Sequence, residues 1–373
     1  MRYYIITGEP SGDLHGAHLI EHLKKLDAHA QIRAWGGQHL RNTNAYIFKD
    51  IKDLAFMGFW EVLMNIQKIL KNFRLCKRDI LSYNPHALIL VDYPGFNLRI
   101  AKWGKKHNFP IFYYIGPQVW AWKENRVNTL KKYIDKLFVI LPFEQLFYQT
   151  RHDYQVEYVG HPLMDSIPTY QLSITFHQKY RIPQSNPTIA LLPGSRKQEI
   201  RRILPLYLSV AKLNPQWIFL IAKVSSIPLA FYQRICHGSQ GIIVDHATYD
   251  LLSVAKGALV TSGTATLETA LFNVPQVVCY KTSWLSFTMA RLLVKLKYIS
   301  LVNLILEKPF LTELIQKKCN VQSINRHLQQ LMDDKHKVYF KEGYELLQQK
   351  MGNSGASKKT AQMIYRDLKT KIP

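Results

Sequence analysis

Residues 87–97 read Ala87-Leu88-Ile89-Leu90-Val91-Asp92-Tyr93-Pro94-Gly95-Phe96-Asn97. Five apolar residues are followed by a carboxylate and a turn, and then by an amphipathic stretch to about residue 106, so the segment reads as a strand, a loop and a helix. The same figure recurs on both sides. Upstream, residues 3–7 form a β-type run before a helical stretch at 12–26, and downstream residues 111–115 and 136–140 are further strands, the latter followed by a helical stretch at 143–150. A second series begins after Pro162, with β-type runs at 188–192, 217–222, 241–244, 257–261 and 276–279 and helical patterns between them. Alternation of this kind predicts an α/β fold with parallel sheets covered by helices on both faces, in two doubly wound domains of one type. Pro168, Pro183 and Pro187 punctuate the stretch between the two series and mark it as the linker. From about Val321 the sequence is helical, polar and rich in Gln and Lys, and no repeat of fixed short period runs through the chain.

The bulk properties agree with two folded domains. The chain has 373 residues, 47% apolar and 20% charged, enough for two domains each with its own core and without the bias of a disordered chain. Lys and Arg outnumber Asp and Glu by 49 to 26, a formal charge of +23, which biases partners towards polyanions: nucleic acid, anionic lipid or a phosphorylated substrate. The four cysteines, Cys76, Cys236, Cys279 and Cys319, lack the close spacing of zinc sites or redox pairs and suit a reducing compartment. The N-terminus lacks the pattern of a secretory signal, and no run approaches the ~20 apolar residues that span a bilayer, so membrane contact is expected to be peripheral.

In open parallel sheets ligands bind beyond the carboxyl ends of the strands, and four strand-end loops stand out. Gly8-Glu9-Pro10-Ser11-Gly12-Asp13 combines glycines with the start of a helix, where free N–H groups suit an anion; it is neither a dinucleotide fingerprint nor a P-loop, and plain helix capping by Ser11 or Asp13 is the alternative. Asp92, at the end of an apolar strand, is the candidate general base, because partial desolvation raises a carboxylate's proton affinity; a turn before a helix capped by Asn97 is its bland counterpart. Leu192-Pro193-Gly194-Ser195-Arg196 offers a guanidinium to a phosphate and a glycine for close backbone approach, against a capping box with Glu199 and a solvated Arg196. In Thr261-Ser262-Gly263-Thr264-Ala265-Thr266-Leu267-Glu268, small residues leave room for a diphosphate at a helix start, and Glu268 lies one turn in, within reach of a ribose.

Two basic amphipathic segments suggest a surface partner. Residues 54–78 set Phe59, Leu63, Ile66, Leu70 and Phe73 at helical spacing, with Trp60 widening the stripe and Lys68, Lys71, Arg74, Lys77 and Arg78 flanking it. Such a helix suits an anionic membrane boundary, or a core-facing helix with a solvated basic side. Residues 281–297 repeat the pattern around Trp284 and Phe287, and no acidic residue lies between Glu268 and Glu307. His15, His161 and His246 have no spacing that singles one out as acid or base, and no metal-ligand cluster is visible.

The order of these loops, together with Val119-Trp120-Ala121-Trp122, Leu141-Pro142-Phe143-Glu144, Val159-Gly160-His161-Pro162, Ser300-Leu301-Val302-Asn303-Leu304 and Glu313-Leu314-Ile315-Gln316, resembles the lipid-A-disaccharide synthase family from about residue 1 to at least 316. Gly95 stands where that family usually has an acidic residue, Gln118 replaces a serine, and Val302 and Thr312 each replace a proline. The resemblance implies an inverting glycosyltransferase of GT-B type: two Rossmann-like domains facing across a cleft, divided at 1–165, 166–345 and a helical tail 346–373 that returns to the first. It implies UDP-2,3-diacylglucosamine as donor and 2,3-diacylglucosamine 1-phosphate as acceptor, no cofactor and no metal. It also implies a cytoplasmic location on the inner face of the inner membrane, and homodimers in some members.

By position in that family, Asp92 is the catalytic base. Gly194, Ser195, Arg196, Ser262, Gly263, Thr264, Glu268, Asn303 and Gln316 are nucleotide contacts, and Ser11, Gly12 and Asp13 lie on the acceptor side. Phe59, Trp60, Leu63, Ile66, Leu70 and Phe73 would dock on the membrane. Another UDP-sugar enzyme of GT-B type is the nearest rival; a basic nucleic-acid-binding protein would account for the charge but not for the ordered strand-end loops.

Overall fold

The computed structural model describes residues 1–53, 66–183, 185–283, 287–288 and 296–370. Its strands fall into two sheets, and every pairing in both is parallel. The first sheet holds β1 (Arg2–Ile6), β2 (Gln31–Gly36), β3 (Tyr46–Asp50), β4 (Ala87–Val91), β5 (Ile111–Tyr114), β6 (Lys136–Val139) and β7 (Glu157–Tyr158), in the order β3-β2-β1-β4-β5-β6-β7. The second holds β8 (Thr188–Leu192), β9 (Ile218–Lys223), β10 (Ile242–Asp245), β11 (Gly257–Thr261), β12 (Gln276–Tyr280) and β13 (Glu313–Ile315), in the order β10-β9-β8-β11-β12-β13. Parallel neighbours need crossovers, and helices supply them, which is the doubly wound pattern expected from the alternation.

Side chains that alternate along a strand point to opposite faces, and here both faces are core. In the first sheet Tyr4, Ile6, Leu88, Leu90 and Tyr113 enter one apolar cluster, while Tyr3, Ile5, Ala87, Ile89, Val91, Phe112 and Tyr114 enter the other. The second sheet repeats this, with Ile189, Leu191, Leu259 and Val277 on one side and Ala190, Leu192, Ala258 and Val260 on the other. One buried polar cluster in the first unit is fully paired. Asp79 accepts from the Tyr4 hydroxyl at 2.6 Å and pairs with the Arg33 guanidinium at 2.5 Å, and the Trp35 indole donates to the Tyr4 oxygen at 2.8 Å.

The strand order fixes where chemistry can sit. In the first sheet the winding reverses between β1 and β4, and in the second between β8 and β11. Crossovers leave such a reversal in opposite directions, so a crevice opens at the carboxyl ends of the two central strands. The four loops singled out in the sequence follow β1, β4, β8 and β11.

The chain divides into two compact units: residues 1–165 with the chain from Ser354 onward, and Ser166–Asn353. A break at 345 is incorrect, because the helix Lys337–Met351 runs through that position and ends only at Gly352. The last helix, Ala356–Lys369, belongs to the first unit. It packs on the helix Pro10–Leu26 and contributes Ala356, Ala361, Ile364 and Leu368 to the core behind the sheet. Asp165 caps it, its carboxylate accepting from the backbone N–H of Gly355 at 2.5 Å and of Ala356 and Ser357 at 3.3 Å. Among the described residues no helix is long and apolar enough to cross a membrane.

Candidate functional site

Asp92 and Tyr93 leave β4 with φ of +46° and +50°, two consecutive side-chain-bearing residues in the left-handed region, at on the order of 1–2 kcal/mol each. The surroundings hold them there. The Asp92 carbonyl accepts from the Tyr113 hydroxyl and from Asn97 Nδ2, both at 2.7 Å, and the Asp92 N–H donates to the Tyr114 carbonyl at 3.1 Å. The Tyr93 ring lies flat against Gly8, where a β-carbon would stand 2.1 Å from the ring, so only glycine fits. Asn97 is therefore not a helix cap: the helix is Pro94–Lys106, and Asn97 is buried inside it, tying its first turn back to the strand.

The Asp92 carboxyl is raised to about 6, first by burial and second by the neighbouring Glu9 carboxylate, with the Tyr93 N–H opposing. Glu9 escaped the sequence reading as a partner of Asp92. Residues 9 and 92 are far apart in the chain, and only the β1–β4 pairing, which sets Ile6 beside Leu90, brings their loops together. A carboxylate at the end of each central strand was the available signal.

Asp13 is not free to meet an acceptor. It is 1% exposed, and its carboxylate accepts from the backbone N–H of Gly37 at 2.5 Å, His39 at 2.9 Å and Leu40 at 3.4 Å, capping the short helix Gln38–Asn42 and fixing the end of β2. Gly12 is buried against Thr7 and the Val91 carbonyl. Of the three residues expected on the acceptor side only Ser11 is exposed. His15 and His161 are held neutral by burial, lowered to about 4 and about 3.

In the second unit, the loop after β8 carries Gly194 at φ +108°, and Glu199 folds over it to accept from the N–H of Ser195 and Arg196, each at 3.2 Å. The capping reading thus holds for Glu199, while Arg196 extends into solvent with only a 3.5 Å pairing to it. Tyr280, at the end of β12, lies near both Glu199 and Arg196. After β11, Ser262 turns inward, its N–H donating to the Cys279 carbonyl at 3.1 Å and its hydroxyl to the Ile299 carbonyl at 2.7 Å. Gly263 and Thr264 are exposed at the start of the helix Thr264–Leu271, which no side chain caps. Glu268 accepts from the Tyr249 hydroxyl at 3.2 Å, and burial raises its pKa.

Two expected nucleotide contacts are committed elsewhere. Asn303 is buried; Nδ2 donates to the Leu311 carbonyl at 2.9 Å and to Glu313 at 3.0 Å, and Oδ1 accepts from the Leu311 N–H at 2.7 Å. The Gln316 side chain clamps the backbone of Thr282, accepting from its N–H at 2.9 Å and donating to its carbonyl at 3.3 Å. Both shape the second unit around the site and leave little of their own amides for a ligand.

The membrane face is also revised. Phe59, Trp60 and Leu63 lie outside the described residues, and Ile66 opens the helix Ile66–Tyr83. Leu70 is 51% exposed, but Phe73 is in the core, stacked on Phe96 at 4.3 Å between centroids. One stripe of that helix faces inward, as an amphipathic helix on a globular unit requires. Among the described residues no group of three His, Cys, Asp or Glu side chains is placed to hold a metal ion.

Two Rossmann-like units, each a parallel sheet whose winding reverses at its two central strands, define a protein of the GT-B fold class. Solved structures share this architecture: S. aureus MnaA with UDP (TM-score 0.69, 14% identity, 100% of this chain and 98% of that one), and the Neisseria meningitidis UDP-GlcNAc 2-epimerase bound to UDP-GlcNAc (TM-score 0.65, 14% identity, 99% and 100%). At that identity they define the fold alone. The sequence goes further. The family model described as lipid-A-disaccharide synthetase matches residues 3–366. Relatives named lipid-A-disaccharide synthase include one from Syntrophus aciditrophicus, 36% identical over 98% of this chain and 97% of that protein, and one from Legionella pneumophila, 35% identical over 89% and 88%. The chain belongs to the lipid-A-disaccharide synthase family.

Proposed function

We propose that the chain joins UDP-2,3-diacylglucosamine to 2,3-diacylglucosamine 1-phosphate, giving the β-1,6-linked disaccharide 1-phosphate of lipid A and UDP by one inverting displacement. The observation that carries this is Asp92: a carboxylate raised to about 6, held at the switch point of the first unit by a strained backbone that two side chains and a glycine over-determine. Asp92 takes the proton of the acceptor 6-hydroxyl as its oxygen bonds to the donor's anomeric carbon. The bond from that carbon to the diphosphate breaks on the opposite face, and UDP departs with the electron pair. Arg196 and the N-terminus of the helix Thr264–Leu271 receive the diphosphate charge, Glu268 holds the ribose, and no cofactor enters the scheme.

Purified protein incubated with both substrates should yield a product of the disaccharide 1-phosphate mass together with UDP; UDP without a disaccharide, or neither, would overturn the reading. Glu268→Ala should raise the KM for the UDP donor about 10-fold or more, as loss of a charge-assisted hydrogen bond to a ribose does, with kcat changed little. An unchanged donor KM would remove Glu268 from the nucleotide site.

The protein also sits peripherally on the inner face of the inner membrane in this reading. The exposed Leu70 and the basic residues of the helix Ile66–Tyr83 support it, since apolar insertion and charge attraction add at an anionic surface. Leu70→Glu should weaken binding to phosphatidylglycerol vesicles about 10-fold; equal partitioning of the variant and the wild type would place contact elsewhere. No nucleic acid is a partner, and a homodimer fits the family.

A further inference from the structure

The segment after β5 carries an arrangement that neither the fold nor the base requires. Trp120 is turned inward, its indole N–H donating to the buried Glu144 carboxylate at 3.0 Å and its ring meeting Phe143 edge-on at 4.9 Å. Ala121 N–H and Trp122 N–H donate to the Gln118 carbonyl, and Arg126 N–H to that of Lys123, closing the segment into successive turns. Its next tryptophan is thereby presented outward: Trp122 is 45% exposed. Two cations lie on it, Lys123 Nζ at 4.3 Å and the Arg126 guanidinium carbon at 5.7 Å from a ring centroid.

Neither cation pairs with a carboxylate among the described residues. The acid between them, Glu124, is engaged by His152 at 3.0 Å and Arg151 at 4.0 Å. Arg126 opens the helix Arg126–Tyr133, which Val127 and Leu130 anchor in the core, so its position is fixed by the scaffold. It lies near enough to Tyr113 to act on that hydroxyl electrostatically, and Tyr113 donates to the Asp92 carbonyl. Two unneutralised cations on an exposed aromatic face, at the strand ends that carry the base, form a receptor for an anion attached to an apolar body.

We propose that Arg126 and Lys123 bind the phosphomonoester of the glycolipid acceptor, with Trp122 against its sugar or acyl portion. This rests on the acceptor reading above and adds to it the residues that select a phosphorylated acceptor over a neutral one. A phosphate could equally belong to a lipid headgroup, so the test separates the two sources.

The full-length wild type and the Lys123→Gln/Arg126→Gln double variant would be compared in neutral detergent for equilibrium binding of 2,3-diacylglucosamine 1-phosphate and of its dephosphorylated form. The wild type should prefer the phosphorylated compound, and the double variant should bind it about 10- to 100-fold more weakly and lose that preference. In turnover the acceptor KM should rise by the same factor, with kcat and donor KM within about twofold. A double variant that keeps the wild-type preference overturns the site. The same holds if the preference is kept while binding to anionic vesicles is lost, which would give the cations to headgroups. Phosphate-selective binding with no disaccharide formed by the wild type would overturn the functional reading and leave the site standing.

Discussion

Asp92→Asn is expected to lower kcat by about 100- to 10,000-fold, the range that removal of a positioned general base produces, with UDP affinity within about twofold of wild type. The amide keeps the size and the backbone hydrogen bonds of the aspartate but cannot take a proton. In the wild type the base must be ionised, so with the carboxyl raised to about 6, kcat/KM should climb through pH 5–6 and level off above.

The stability consequence has the opposite sign from that of an ordinary salt-bridged aspartate. Here the folded pKa lies above the unfolded value of 3.8, so ionisation favours the unfolded chain. The penalty is absent below about pH 3.8, grows to about pH 6 and is complete above it, at most about 3 kcal/mol. Asp92→Asn should therefore melt no lower than wild type at pH 7.5 while being nearly inactive. A variant that keeps its turnover would move the base elsewhere, and one that loses both activity and stability would make Asp92 a structural residue.

Asp13→Ala should act on stability. Removing that carboxylate leaves the N–H groups of Gly37, His39 and Leu40 without their acceptor in a buried setting. Loss of a charged acceptor from such groups costs about 2–4 kcal/mol, or roughly 5–15 °C in the melting of a unit this size. Thermal unfolding measures it. Undiminished stability together with a raised acceptor KM would return Asp13 to the ligand.

Asp13, Asn303 and Phe73 mark where sequence reading stopped. Each sits in a motif correctly placed at a strand end or on an amphipathic helix, yet what its side chain touches is decided by distant chain. Asp13 meets backbone from the end of β2, Asn303 an extended segment eight residues on, and Phe73 a ring on the helix Pro94–Lys106. The central strands β1, β4, β8 and β11 were legible because they are buried on both faces, and their apolar runs announce them. β2 was missed because it carries Arg33, which reaches Asp79. β3 was missed because its Tyr46 lies in the open at the sheet edge, and β13 because it is three residues long. The strand order, which brings Glu9 to Asp92 and makes switch points of the right loops, depends on crossover routing and has no local signature.

The return of the last helix to the first unit bears on how the protein is made. On the ribosome, residues 1–165 emerge first but lack Ile364 and Leu368, which close their rear core. They must wait through synthesis of all of Ser166–Asn353, roughly 10–40 s at ~5–20 residues per second. During that interval the nascent sheet has an uncovered apolar back, a site for chaperone binding or for capture of the tail of a neighbouring copy. Losing the helix Ala356–Lys369 would therefore injure a lobe translated well before it.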